Sequence, residues 1–449
     1  MPTPAVTQGS EHFFNVIYEG NGGGQRVGKF VPFTDNGTIA KSVIMDKASS
    51  PRLSRTPSSA GNRKTWTLSL WVKRTILGSP RHMILTQSNS GGTAGDFFFF
   101  NTDNTIKFTD DDSGDYNLVT SRTFEDTSKF YHIVLAVDTT QSTASNRVKL
   151  YVDGDQITSF GTSNYPAQDY TFHINNTAHP MNLFSDYGNS GSEYSDGYIA
   201  EVNLVDGTAL TPSTFGLTDT STGRWIPKSL TGITYGTNGF RMEFANSAGQ
   251  TIGDDTSGNG NDYAVTNVAT TDITTNSPTQ NHNTVDPSVN PGSDAISEGN
   301  TKTVGGSSTY TYTVGTMRPK SGKYYAEFKV TSGGGNATQI GIAGRYSSGS
   351  TNHLGYNPTT YSYYYSGGVY LGLSTNSVTS WGSSYTDNDY VGVALDLDNN
   401  KLYFAKNNTW QNSSNPVTGA NAISIDPPET TDFGGYAFAV GNFEGAGGP

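Results

Sequence analysis

Apolar and polar residues alternate at a period of two along several segments of this chain, and Thr65–Arg74 shows what that pattern implies. Trp66, Leu68, Leu70 and Val72 fall on one face of an extended strand; Thr67, Ser69, Trp71 and Lys73 fall on the other. Phe130–Val137 and Val148–Val152 repeat the alternation, and Asp153-Gly154 closes the latter with a turn pair that reaches positive φ cheaply. Tyr198–Asp206 alternates as well and ends in Asp206-Gly207. Four consecutive phenylalanines, Phe97–Phe100, put aromatics on both faces of a strand, which places it centrally or under cover. Further on, Tyr310, Tyr312 and Val314 share a face, and Val391, Val393, Leu395 and Leu397 point inward ahead of a two-residue turn at Asn399-Asn400. No window of twelve residues carries a 3.6-period apolar stripe, so the chain is predicted to be all-β.

The strands group into two antiparallel β-sandwiches, over 41–268 and 301–449. Residues 269–300 are rich in Thr, Asn, Ser and Pro, show no periodicity and read as a linker over the surface. Residues 1–40 hold one short strand, His12–Tyr18, then the break Gly20–Gly24 and Val31-Pro32-Phe33. Such an arm can bury Phe13, Phe14, Tyr18, Phe30 and Phe33 only against something else. Either its own domain or a larger assembly would serve.

Composition narrows the function. Only 15% of the 449 residues are charged, 12% are aromatic, Gly numbers 53 and Cys is absent. Aromatics at this level argue against a disordered polymer. Stability without disulfides rests on core packing and on oligomerisation. The net charge of −12, with no Lys/Arg block, excludes wrapping of a nucleic acid backbone and disfavours an anionic membrane surface. No apolar run approaches the roughly 20 residues that span a bilayer. The first residues, Met1-Pro2-Thr3-Pro4-Ala5, lack the basic and apolar regions of a secretory signal.

Several motifs carry a family resemblance. Thr67-Leu68-Ser69-Leu70-Trp71-Val72-Lys73, then Tyr131-His132-Ile133-Val134-Leu135 and Val148-Lys149-Leu150-Tyr151-Val152-Asp153-Gly154, resemble the concanavalin A-like, laminin-G-type jelly roll. Gly197–Gly207 resembles its closing strand. Ser257-Gly258-Asn259-Gly260-Asn261-Asp262 resembles the turn that usually opens such a domain, yet here it follows the other motifs. It either completes the first sandwich in a permuted order or begins a bridging strand pair. Ser321–Val330, Val391–Phe404 and Asn407–Trp410 resemble the SPRY-type sandwich, whose closing strand Asn442-Phe443 matches poorly. Together with the aromatic arm and Thr274–Asn281, this order resembles virion proteins of tailed bacteriophages, of tail fibre or other structural type. The resemblance implies a place on the exterior of a virus particle, on tail or capsid.

Candidate chemistry is sparse. Glycoside hydrolysis needs two carboxylates about 5–9 Å apart, and Glu201-Val202-Asn203-Leu204-Val205-Asp206 lacks the Glu-x-Asp-x-x-Glu spacing of catalytic relatives of this fold. The seven histidines show no metal-ligand spacing. Asp255, Ser257 and Asn259, with Gly260 at the sharp turn, form half of a calcium loop, but Thr266 stands where the bidentate acid belongs. Asp110–Asp112 with Asp115 is a second acidic cluster. Tyr361, Tyr363 and Tyr365 share a strand face near Trp381, a row that suits sugar rings or else a sandwich core or subunit contact.

The expectation is a non-enzymatic fibre or spike protein that binds host-surface glycans. Its arm would dock on other virion proteins, and a homotrimer would cover its sheet edges. The alternatives are a capsid-decorating or connector subunit without ligand and a polysaccharide depolymerase. No cofactor beyond calcium is implied.

Overall fold

The computed structural model describes residues 37–89, 94–110, 114–186, 193–245, 250–289, 294–304, 311–331, 338–346 and 353–442. Phe13, Phe14, Tyr18, Phe30 and Phe33 of the arm lie outside the described residues. Among the described residues every element is a strand or a three-residue 3-10 turn, as the period-two pattern requires. Two compact units result: one spans 31–282 and takes in 297–299, the other holds 283–296 and the chain from 300 onward.

The first unit is a sandwich of two antiparallel sheets. One runs, edge to edge, Asp155–Gln156, Val148–Val152, Tyr131–Asp138, Thr65–Arg74, Gly197–Asp206, Ser42–Met45 and Ile273–Thr274. The other runs Phe160–Asn164, Asn117–Thr123, Thr105–Asp110, Gly95–Phe100, His82–Ser88, Met181–Leu183, Arg52–Arg55 and Ala264–Thr266. The phenylalanine strand is central, flanked on both sides, and all four of its rings are buried. Trp66, Leu68, Leu70 and Val72 enter the core between the sheets, where Trp66 meets Phe108 and Phe172 edge-on at 6.1 and 5.7 Å. Edge-to-face pairs of this kind add to the area the rings remove from water.

The structure covers a second strand face, decides between two readings of one segment and corrects the linker. The opposite face of Thr65–Arg74 is also buried, because the chain from 207 to 240 folds over it: Val134, Val205, Phe215 and Tyr235 form a second apolar layer, and Trp71, Phe130 and Tyr198 a third. The turn-like segment 254–262 leads into Ala264–Thr266, which pairs with Arg52–Arg55 and so completes the first sandwich. The stretch read as a linker supplies Ile273–Thr274 to the edge of the first unit, while Val285 bridges Gly315 within the second.

The second unit pairs a six-stranded sheet with a five-stranded one. The six run Thr311–Val314, Ala437–Asn442, Thr338–Ala343, Thr360–Tyr364, Gly368–Tyr370 and Thr379–Ser380; the strand at 437–442 is thus flanked on both sides. The five are Lys323–Lys329, Tyr390–Asp396, Lys401–Lys406 and Thr409–Trp410 in order, with Ile423–Ser424 beside Lys401–Lys406. Val391, Val393, Leu395 and Leu397 are inward, as their alternation predicts. The hairpin pairs Asp396 with Lys401 and so has a four-residue loop, not two, with Asn400 in the left-handed region.

Candidate functional site

The strand Gly197–Asp206 does not alternate throughout. Ala200 faces Trp71 and Asn203 faces Ser69, so Glu201 and Val202 together oppose Leu70 in a β-bulge. The slip has a cause in the partner on the other edge. Ser42–Met45 pairs with the first half of this strand and Phe240–Met242 with the second. Both halves must put apolar side chains inward, and Ile199, Val202 and Leu204 achieve this only across an extra residue. Glu201 takes up the difference at φ +48, a conformation that costs a non-glycine residue about 1–3 kcal/mol.

The bulge aims Glu201 at Arg241. The guanidinium donates from Nε to Glu201 Oε1 at 2.6 Å and also pairs with Glu243 at 2.9 Å. Asn203 donates to the Glu201 carbonyl at 3.2 Å, and the Tyr235 hydroxyl donates to Asn203 Oδ1 at 2.7 Å. Burial pushes the Glu201 carboxyl above its ordinary range, against the bond and charge of Arg241 that pull it down. Burial also works against the Arg241 charge, but the bond to Glu201 and the two carboxylates outweigh it and raise the guanidinium. Beside this pair opens a cleft of about 220 Å³, walled by Gly37–Ile39 and Lys228–Leu230 and backed by Phe215. Gly37 has φ +107, and a Cβ there would lie 2.3 Å from the Lys228 backbone, so only glycine lets that wall close.

The calcium-like loop has a different task. Asp255 Oδ1 accepts from the backbone N–H of Arg241 and of Ser257 at 2.9 and 2.8 Å, and Oδ2 accepts from Asn261 N at 2.9 Å. Asn259 turns its amide donors onto the Gly236 and Gly239 carbonyls. A carboxylate with three N–H donors and an amide facing away do not fit an oxygen cage for calcium. Asp255, Ser257 and Asn259 instead staple the loop to the strand that presents Arg241. In the other acidic cluster Asp110 accepts from the Tyr170 hydroxyl at 3.1 Å, while Asp111 and Asp112 lie outside the described residues.

The tyrosine row is a core face. Tyr361 is 5% exposed and Tyr363 0%, within the apolar cluster of the second unit, and Tyr363 stacks on Phe404 at 5.4 Å. Tyr365 and Trp381 pack against the same cluster, half-buried. Rings enclosed like Tyr361 and Tyr363 cannot stack on a sugar, so the row Tyr361, Tyr363, Tyr365 and Trp381 does not form one open glycan face. The parity of Tyr361 and Tyr363 puts both on the inner side of the strand Thr360–Tyr364.

Sequence reasoning passed over one polar centre. His132 Nδ1 accepts from Trp225 Nε1 at 2.9 Å, Nε2 lies 2.9 Å from Ser69 Oγ, and the ring stacks on Trp71 at 4.6 Å. A bond received at Nδ1 leaves the proton on Nε2, pointing at Ser69. The imidazole therefore cannot accept the serine proton, and the pair is not a nucleophile with its base. Trp225, about ninety residues away, gives no local signal for this contact.

Comparison with known proteins agrees with the two folds. Residues 49–214 match the family model of the concanavalin A-like lectin/glucanases superfamily, and residues 323–420 match that of the SPRY domain. No curated protein matches the chain. Among solved structures, the SPRY domain of human HERC1 is 20% identical over 36% of this chain and 90% of its own, with a TM-score of 0.27. A Bacteroides ovatus protein described as carbohydrate-binding is 12% identical over 53% of this chain and 60% of its own, with a TM-score of 0.34. The SAP-like pentraxin of Limulus polyphemus is 12% identical over 39% of this chain and 80% of its own, with a TM-score of 0.29. The chain thus carries a domain of the concanavalin A-like lectin/glucanase type followed by one of the SPRY type.

Proposed function

We propose that this protein binds carbohydrate without cleaving it, as a fibre or spike component on the exterior of a tailed-phage particle. The cleft beside Glu201 is the observation that supports the binding role. It offers a carboxylate, a guanidinium and the exposed Lys228 and Ser229, with Phe215 behind them. Sugar hydroxyls are recognised by convergent polar groups of this kind over an apolar floor. Its volume is below the roughly 300–1,000 Å³ of pockets for drug-sized ligands, which suits one ring or a branch end. Such a contact is weak alone, and a homotrimer anchored through the N-terminal arm would multiply it. The non-catalytic reading rests on Arg241, which ties up Glu201 and Glu243 together and leaves no second, independent carboxylate in the cleft lining.

The test is a glycan array of host-surface polysaccharides with the wild type and Lys228→Ala. Binding should fall by about tenfold or more in the variant, the order expected for one charged hydrogen bond. Equal binding by both proteins, or none by the oligomer, sinks the cleft as the site. Release of reducing ends from capsule would make the protein an enzyme, and its absence from the mass spectrum of purified particles would remove the virion role. A ligand-free decorating subunit is favoured by Leu373 and Val378, which stand exposed beside the edge strand Thr379–Ser380 and suit a protein contact.

A further inference from the structure

Lys73 lies on the outer face of the Thr65–Arg74 strand, where the segment 276–282 crosses it. Its side chain is fully enclosed, at 0% exposure. Nζ donates to Asn281 Oδ1 at 2.9 Å and to the His282 carbonyl at 2.7 Å, and it stands 6.0 Å from the centre of the Tyr198 ring. The acceptor is held as firmly as the donor. Asn281 Nδ2 donates to the Ser128 carbonyl at 2.7 Å, His282 N donates to Asn276 Oδ1 at 2.9 Å, and Ser42 Oγ donates to the Asn276 carbonyl at 2.5 Å. With a carbonyl bond of about 1.2 Å, the carboxamide carbon of Asn281 lies no more than about 4 Å from the amine. Asp126 belongs to the same turn: its Oδ1 accepts from Ser128 N and Oγ.

We propose that Lys73 and Asn281 join in an intramolecular isopeptide bond, Nζ to Cγ, with release of ammonia. The lone pair of the neutral amine attacks Cγ, forming the N–C bond and moving the carbonyl electrons onto Oδ1. Collapse breaks the Cγ–Nδ2 bond. The proton that Nζ gives up is the one Nδ2 gains as it leaves as ammonia. No oxidant, metal or cofactor enters the balance. Two conditions favour the reaction. The partners are held in hydrogen-bond contact inside the fold, which lowers the entropic part of the barrier. Burial pushes the amine down to about 7, against the Asp126 charge that raises it, so the nucleophilic form is abundant at neutral pH. The bond would tie a central strand to a residue 208 positions later in a chain that has no cysteine.

Intact mass of the purified full-length chain decides the matter. The expected mass is lower than that of the sequence by one ammonia, and a tryptic digest should yield a branched peptide joining Lys73 to Asn281. Lys73→Arg should restore the full mass. An unmodified wild type, with the two residues in separate linear peptides, overturns the proposal. So does a loss of ammonia that persists in Lys73→Arg, since cyclisation of an asparagine elsewhere gives the same mass without a branch.

Discussion

Acidifying the protein from pH 7 to pH 4 should act on His132 in a way the structure sizes. The ring is wholly buried, and burial pushes it down to about 3 from an ordinary 6.5. Protonation would also break the bond from Trp225, which needs the Nδ1 lone pair. Because the folded value lies below the unfolded one, the unfolded chain takes up the proton first. The stabilisation is complete above 6.5 and is lost as pH falls toward 3. At about 1.4 kcal/mol per unit, the roughly 2.5 units between 6.5 and pH 4 amount to about 3 kcal/mol. His82, pushed by burial to about 3, changes in the same direction, while Asp96, raised by burial to about 7, gains stability over the same interval. The pH profile of the wild type alone therefore mixes opposed contributions.

A variant separates them. His132→Gln keeps an amide oxygen for Trp225 but cannot titrate. Urea unfolding of both proteins, followed by tryptophan fluorescence, gives the stability gap at each pH. The gap should favour the wild type at pH 7 and shrink by about 3 kcal/mol at pH 4. A gap that stays constant would falsify the reasoning, since it would mean that water reaches the ring and His132 protonates as freely folded as unfolded.

Other substitutions probe other parts of the argument. Asp96 accepts from the Tyr116 hydroxyl and from Ile174 N in full burial, so the stability of the wild type relative to Asp96→Asn should fall by up to about 1.4 kcal/mol per unit as pH rises from 4 to 7; thermal melts of both proteins across that range give the difference. Glu201→Gly and Glu201→Ala both forfeit the Arg241 bond, but at φ +48 glycine should be the more stable by about 1 kcal/mol, read from denaturant midpoints. A Cβ at Gly341 would lie 1.9 Å from the Tyr361 carbonyl, so Gly341→Ala should cost about 3 kcal/mol or more and lower the melting temperature of the second unit.

What the sequence made legible was strand identity and facing. Trp66, Leu68, Leu70 and Val72 are inward because period two leaves no other choice, and the phenylalanine run is central because a bare edge could not carry it. What alternation does not encode is whether the second face is covered. Thr67, Ser69 and Lys73 have the polarity of a solvated face, yet each is buried, since Thr67 bonds Thr208 and Leu210, Ser69 meets His132, and Lys73 meets Asn281. Those partners lie 63 to 208 residues away, and no local pattern announces them. The bulge escaped for a related reason. Tyr198–Asp206 reads as continuous alternation until Ile199, Val202 and Leu204 are all seen to face one core.

The covering of that outer face also removes it as a surface on which a ligand could lie. A sheet whose two faces are both packed has no open surface on which a ligand could lie flat, and Tyr361 and Tyr363 of the second unit are enclosed in the same way. In the first unit the regular ladder is interrupted at the bulge at Glu201, and the glycine-dependent wall at Gly37 stands beside it. At Glu201 the strain, the buried carboxylate and the half-buried guanidinium coincide with the cleft. A purely structural bulge would be equally well served by glycine, which adopts positive φ without cost and needs no counter-ion. Under the carbohydrate-binding proposal, Glu201 and Arg241 would act on a ligand as one ion pair, with the Asp255 loop holding the strand of the arginine in place.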